Sequence, residues 1–154
     1  MSDKNLLIVF HSQSGRNEQL ALACYQAVVD TDTVNCSMKR ATDAEARHVI
    51  DADALLLIGP ENSGLLSGGI KDFLDRVFYP LERAGKQGLP YALIIGCGND
   101  GSNCERQTDK ILKGIQARKI QPTEFVYGPP DDDAIARCCE LAAGIAEGLD
   151  MGVF

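Results

Sequence analysis

The sequence has no tryptophan, and its 154 residues hold only five phenylalanines and four tyrosines. Any planar ligand therefore meets few aromatic side chains on which to stack. Histidine is equally scarce, at two residues, and none of the six cysteines forms a C-x-x-C pair. That composition argues against a zinc site. No G-K-[ST] occurs, so a lysine-bearing phosphate loop and the triphosphatase chemistry that depends on it are not expected. No apolar run approaches the ~18 residues of a membrane span. The opening MSDKNLL lacks the apolar core and small-residue cleavage site of a signal peptide, so a cytoplasmic protein is expected. Positive charge is in deficit. Fifteen Lys and Arg stand against 22 Asp and Glu, a net charge of −7. Nucleic-acid phosphates would be repelled, whereas a basic partner would be attracted.

What is present suits one globular domain, residues 1–154. Apolar residues make up 45% and charged residues 24%, and no repeat, linker or low-complexity segment interrupts the chain. Apolar runs alternate with helical periodicity. Strands are expected at 6–10, 33–37, 54–58, 91–96 and 120–127, and helices at 17–29, 43–52, 67–84, 104–118 and 131–149. The third and fourth strands, ALLLI and YALIIG, are continuously apolar, as strands buried on both faces should be. In the third helix Ile70, Phe73, Leu74, Val77, Phe78 and Leu81 form one stripe, Ser67 stands where a cap belongs, and Asp72 and Arg76 are four apart. In the last helix the expected stripe is Ile135, Cys139, Ala142, Ile145 and Leu149, with Asp131, Asp132 and Asp133 read as capping the dipole. Cys24 and Cys139 read as reduced core thiols, and adjacent Cys138 and Cys139 point apart on a helix. Strands alternating with helices imply an α/β fold, a parallel sheet covered on both faces. Ligands of such sheets bind beyond the carboxyl ends of the strands.

Three loops at those ends carry chemistry. HSQSGRN (residues 11–17) joins the first strand to the first helix. Free N–H groups at a helix start attract anions; Ser12 and Ser14 add hydroxyls, Gly15 allows close approach and Asn17 offers an amide. A plain turn rich in capping residues explains the same string, and both readings stay open at this point. His11 directly follows the strand and is read as packing under the loop. The second loop is GPENSGLLSGG (59–69), with Gly64 placed for a positive φ. The third, GCGNDGSNC (96–104), contains G-x-G-x-x-G at Gly96, Gly98 and Gly101. A dinucleotide fingerprint belongs to the opening strand of a βαβ unit and ends with an acidic residue beyond the second strand. Glu124 instead falls inside a strand candidate, so that reading is set aside. Cys97 and Cys104 flank this loop.

The residues from Ile8 to Asn17, IVFHSQSGRN, with Ala21 beyond, resemble the flavodoxin phosphate-binding signature. GPENSGLLSGGIKDFLDR (59–76) resembles the matching segment of flavodoxin-like NAD(P)H-dependent FMN reductases and quinone reductases, down to Lys71, Phe73, Leu74 and Asp75. The resemblance implies a flavodoxin-like three-layer sandwich with a five-stranded parallel sheet in the order 2-1-3-4-5. It also implies FMN as cofactor. Ser12, Ser14, Gly15, Arg16 and Asn17 would surround the phosphate. Pro60, Glu61, Asn62, Ser63, Gly64 and Leu65 would lie on one side of the isoalloxazine, and Cys97, Gly98, Asn99, Asp100 and Gly101 on the other. NADH or NADPH would be the co-substrate, and a quinone or similar small acceptor, or a redox partner protein, would take the electrons. A flavodoxin-type one-electron carrier is the alternative, and a binding module that has lost flavin is a third. Monomer and homodimer stay open. Two departures stand out. Asn17 replaces the usual threonine, and Arg16 adds a charge that flavodoxins usually lack. Neither ring loop contains an aromatic, which leaves Leu65, Leu66 or Tyr79 as stand-ins, and no catalytic acid or base stands out.

Overall fold

A computed structural model describes residues 1–154. The chain alternates strands and helices: β1 (Asn5–Phe10), α1 (Arg16–Thr31), β2 (Asn35–Arg40), α2 (Ala46–Ile50), β3 (Ala54–Asn62), β4 (Leu65–Leu66), α3 (Gly68–Arg83), β5 (Pro90–Cys97), α4 (Ser102–Gly114), β6 (Arg118–Lys119), β7 (Glu124–Tyr127) and α5 (Asp132–Asp150). Strands β2, β1, β3 and β5 lie side by side and parallel, and β6 and β7 both pair with β5. This is the expected 2-1-3-4-5 order, with the fifth strand in two pieces. Between those pieces lies Pro122, which has no N–H to give a ladder. The expected continuous strand at 120–127 is corrected accordingly.

Apolar alternation in β1 decides the layers. Leu6, Ile8 and Phe10 join one core with α1 and α5, while Leu7 and Val9 join the other with α2 and α3. On the second side Ile70, Phe73, Leu74, Val77 and Leu81 of α3 are buried as their spacing requires. Phe78 is only partly covered and leaves that set. Two expectations for helix faces need correction. In α5 the buried cysteine is Cys138, and Cys139 is half-buried, so the stripe is rotated to Ala134, Cys138, Ala142, Ile145, Ala146 and Leu149. Ser67 stands at the N-cap of α3, yet its hydroxyl caps nothing and is buried without a partner.

Other local signals hold. Asp131 Oδ1 accepts from Ala134 N at 2.8 Å and so caps α5. Arg76 Nε donates to Asp72 at 2.9 Å. Arg76 also donates to the Ala41 and Ala44 carbonyls, which ties α3 to the turn before α2. That turn shortens α2, expected over 43–52, because Asp43 and Ala44 spend their N–H groups on the Arg40 carbonyl. No helix is long and apolar enough to cross a membrane. Because the strands are parallel, their carboxyl ends share one edge, where the turns after β1, β3, β5 and β7 come together.

Phe73 is fully buried in the α3 core. Phe73→Ala is expected to cost about 3–5 kcal/mol, read as a lower urea midpoint with an unchanged slope.

Candidate functional site

The turn after β1 is built to leave donors free. Gly15 has φ +94°, a left-handed conformation that suits glycine, and its N–H donates to Ser12 Oγ at 3.1 Å. The Ser12 hydroxyl therefore closes the turn. The first α1 bond runs from Gln19 N to Gly15 O. Ahead of it, the N–H groups of Ser14, Arg16 and Asn17 have no partner in the protein. They add to the positive end of the helix dipole. Arg16 is exposed and pairs with no carboxylate, so its charge adds to theirs.

Asn17 lies at the foot of this turn, only 6% exposed, and its Oδ1 is buried without a partner. Leaving such a group unpaired costs about 1–3 kcal/mol. Its neighbour is Gly96 at the end of β5, where a Cβ would stand 2.7 Å from Asn17 Oδ1. Glycine there makes the space into which the carboxamide fits. A half-turn about its terminal bond presents Nδ2, a donor, in place of the oxygen. Free amides, a guanidinium and an orphaned buried carboxamide are a donor set for an anion such as phosphate.

The segment after β3 is not an open loop. β3 runs on through Pro60, Glu61 and Asn62 and folds back on β4, pairing Glu61 with Leu66 and Asn62 with Leu65. Ser63 (φ 52°) and Gly64 (φ 75°) form the two-residue turn, both left-handed, as a tight hairpin of the primed type requires. Asn103 Nδ2 donates to the Gly64 carbonyl at 2.9 Å, and Leu66 N donates to Gln107 Oε1 at 2.8 Å, so α4 holds the hairpin.

The third loop faces it across the cleft. Gly101 (φ 74°) precedes α4, and a Cβ there would stand 2.8 Å from the Phe125 ring and 3.2 Å from Cys97 Sγ. Asp100 accepts from Ser102 N and Oγ, each at 2.9 Å, which holds its carboxyl below the usual range. Glu61 crosses from the hairpin: Oε1 accepts from Asn99 N at 3.1 Å and Oε2 from Gly101 N at 3.0 Å. On the sequence alone Glu61 and Asp100 pass for solvated loop carboxylates, yet both hold backbone N–H groups. Cys97 is 5% exposed; burial first, then the Glu61 and Asp100 charges, push its thiol up to about 11.

Together these elements enclose a polar cleft of about 220 Å³, somewhat smaller than the ~300–1,000 Å³ usual for small-molecule sites. Ser14, Arg16 and Asn17 wall one end, and Pro60, Glu61, Asn62, Cys97 and Gly98 the other. Ser12 and Gly15 shape the turn behind. Ser63, Gly64 and Leu65 sit at or beside the hairpin tip, and Asn99, Asp100 and Gly101 complete the loop that carries Gly98. The sequence reading missed a fourth wall, Val126, Gly128 and Pro130 after β7, where Gly-Pro-Pro reads only as punctuation. Its place at the end of a parallel strand was the available signal. Also missed was the aromatic pair Phe125 and Tyr127, stacked at 6.4 Å and 23°. Tyr127 pairs in register with Cys97 and is 61% exposed, with its hydroxyl 3.5 Å from the Asp100 carbonyl. Tyr79, the expected stand-in, lies 11 residues beyond Gly68, about 16 Å along α3 at 1.5 Å per residue, and cannot reach the cleft. His11 packs against Gly69 at the start of α3 rather than lining the cleft. No grouping of three or more His, Cys, Asp or Glu suits a metal ion.

Two results are expected. Gly101→Ala, which adds both a strained φ and a clash, should cost at least ~1–2 kcal/mol in denaturant unfolding. Alkylation of Cys97 should be slow at neutral pH and accelerate with a midpoint near 11, not near the ordinary thiol value. Between those values the unfolded chain loses the proton first. The Cys97 contribution to stability is thus present at neutral pH and falls as pH rises through about 11.

Comparison with known proteins agrees with this geometry. The family described as NADPH-dependent FMN reductase matches residues 12–129. No curated protein is significantly similar in sequence. Among solved structures, a flavodoxin from the domain Archaea superposes with TM-score 0.82 at 18% identity, covering 94% of this chain and 98% of that one. The two-electron reduced Megasphaera elsdenii flavodoxin gives 0.77 at 23%, over 92% and 98%. A flavodoxin, WrbA-like protein from Agrobacterium tumefaciens gives 0.81 at 16%, over 97% and 99%. At such identities the structures establish the flavodoxin-like fold, and the family match, which spans most of the chain, establishes the rest: this protein is a member of the NADPH-dependent FMN reductase family.

Proposed function

We propose that this chain binds FMN in the cleft at the sheet edge and acts as an NAD(P)H-dependent oxidoreductase that passes electrons to a quinone or similar small acceptor. One observation carries the reading. Unpartnered amides, the Arg16 guanidinium and the orphaned Asn17 carboxamide converge at one end of a glycine-walled cleft, as a flavin phosphate requires. Membership of the FMN reductase family supports it.

When bound, FMN supplies a ring that accepts hydride at N5 and hands electrons on. The chain's part is to bind and orient. The Ser14, Arg16 and Asn17 amides would hold the phosphate, with the dipole of α1 behind them. Arg16 would neutralise one phosphate charge. Pro60, Glu61 and Asn62 would flank the ring on the hairpin side, and Cys97 and Gly98 on the other. The Cys97 thiol is buried and protonated at neutral pH, so it offers no nucleophile. The only carboxylate in the wall, Glu61, already accepts two N–H bonds, so no proton transfer is assigned to it. Gly98, with nothing within 4 Å of where a Cβ would stand, would leave room beside the ring for a second planar group such as nicotinamide.

A flavodoxin-type one-electron carrier is the second reading, favoured by the net charge of −7, which opposes an anionic reduced flavin. Redox titration separates the two. A carrier gives two well-separated one-electron waves, and a hydride enzyme a single two-electron wave. Equilibrium dialysis with FMN decides the third reading, a fold that no longer holds flavin.

The purified protein should bind FMN and oxidise NADPH or NADH when a quinone is supplied. Bound flavin with no oxidation of either nucleotide would remove the reductase. Arg16→Ala should weaken FMN about fivefold, the ~1 kcal/mol of an exposed charge pair, and the loss should shrink in high salt.

A further inference from the structure

Glu61 is the only side chain of the hairpin that reaches across the cleft wall to the opposite loop, and both of its oxygens are engaged there. Oε1 takes the Asn99 N–H at 3.1 Å and Oε2 the Gly101 N–H at 3.0 Å. The two ends of this strut differ in rigidity. Glu61 extends β3, which is paired to β1 and β5 as far as Pro60 opposite Gly96 and then to β4. Residues 98–100 belong to no strand or helix. Their other ties are few: Asp100 bonds within its own turn, and the Tyr127 hydroxyl reaches the Asp100 carbonyl only at 3.5 Å.

The carboxylate forms no salt bridge, so its charge is offset by backbone dipoles alone. Its field reaches Cys97, Cys104 and Tyr127, and after burial it is among the influences that oppose their ionisation. Those three groups surround the loop, so the charge acts at the cleft itself.

We infer that Glu61 is a positioning residue. It fixes the 98–101 loop against the ring site, and its charge lowers the reduction potential of the flavin held there. The inference rests on the reading that the cleft binds FMN. Reduction of FMN by dithionite at neutral pH adds two electrons and one proton, leaving one more negative charge on the ring. An unpaired carboxylate beside it disfavours that state.

The test compares wild type with Glu61→Gln and Glu61→Ala. Glutamine keeps the size but turns a donor toward one of the two N–H groups, so FMN should bind about tenfold more weakly, the scale of one charge-assisted bond lost. Alanine should weaken it further. The dithionite-titrated midpoint should rise in both variants. Affinities within twofold of wild type would overturn the positioning role, and unchanged midpoints would overturn the charge effect. Hydrogen exchange on the ligand-free protein gives a readout that needs no flavin. Faster exchange at Asn99 and Gly101 in Glu61→Ala supports the strut, and unchanged exchange overturns it. Wild type that fails to bind FMN would defeat the FMN reading instead, with the strut still decided by exchange.

Discussion

The start of α1 is the constraint around which the rest is arranged. A helix beginning directly after a buried parallel strand exposes N–H groups that its own turns cannot satisfy. Here the exposure is accentuated. Gly15 takes a left-handed conformation, Ser12 closes the turn and no side chain caps the helix. Asn17, which on the surface could bond to water, is instead buried with its oxygen unpaired. A fold keeps such costs where a ligand offsets them. The glycine at 96 only makes sense beside that carboxamide.

The sheet determines what else can reach this point. Parallel strands bring the turns after β3, β5 and β7 to the same edge as the α1 terminus. Two of those turns then take opposite roles. The β3–β4 hairpin is rigid, paired in register and anchored to α4 by Asn103 and Gln107. The 98–101 turn has few ties of its own and borrows its position from Glu61. The site thus has a fixed wall and a braced wall, with an electropositive end at Arg16 and an electronegative end at Glu61.

Much of this was legible in the residues. Continuous apolar runs such as ALLLI identify central strands because burial on both faces leaves no polar positions. The glycine at 64 marks a site where φ is positive, and the structure uses it so. Other features follow from contacts that spacing does not reveal. Periodicity could not separate Cys138 from Cys139, because Ala142, Ile145 and Leu149 belong to the stripe drawn through either one. It could not show that Glu61 meets two amides some 40 residues away, since loop carboxylates are usually solvated. The break at Pro122 was readable, since a proline among Gln121, Thr123 and Glu124 suits a turn better than a strand interior. The stacked Phe125 and Tyr127 lie on a strand, where aromatics are ordinary, so their place beside the cleft is not visible from sequence.

Whether the α1 terminus grips a phosphate is decided by calorimetric titration of the purified protein with FMN and with riboflavin. The two ligands share the ring and differ in the phosphate. FMN is expected to bind at least about 100-fold more tightly, as several charge-assisted bonds of ~1.5–3 kcal/mol each imply. Equal affinities, or binding of neither, would contradict it.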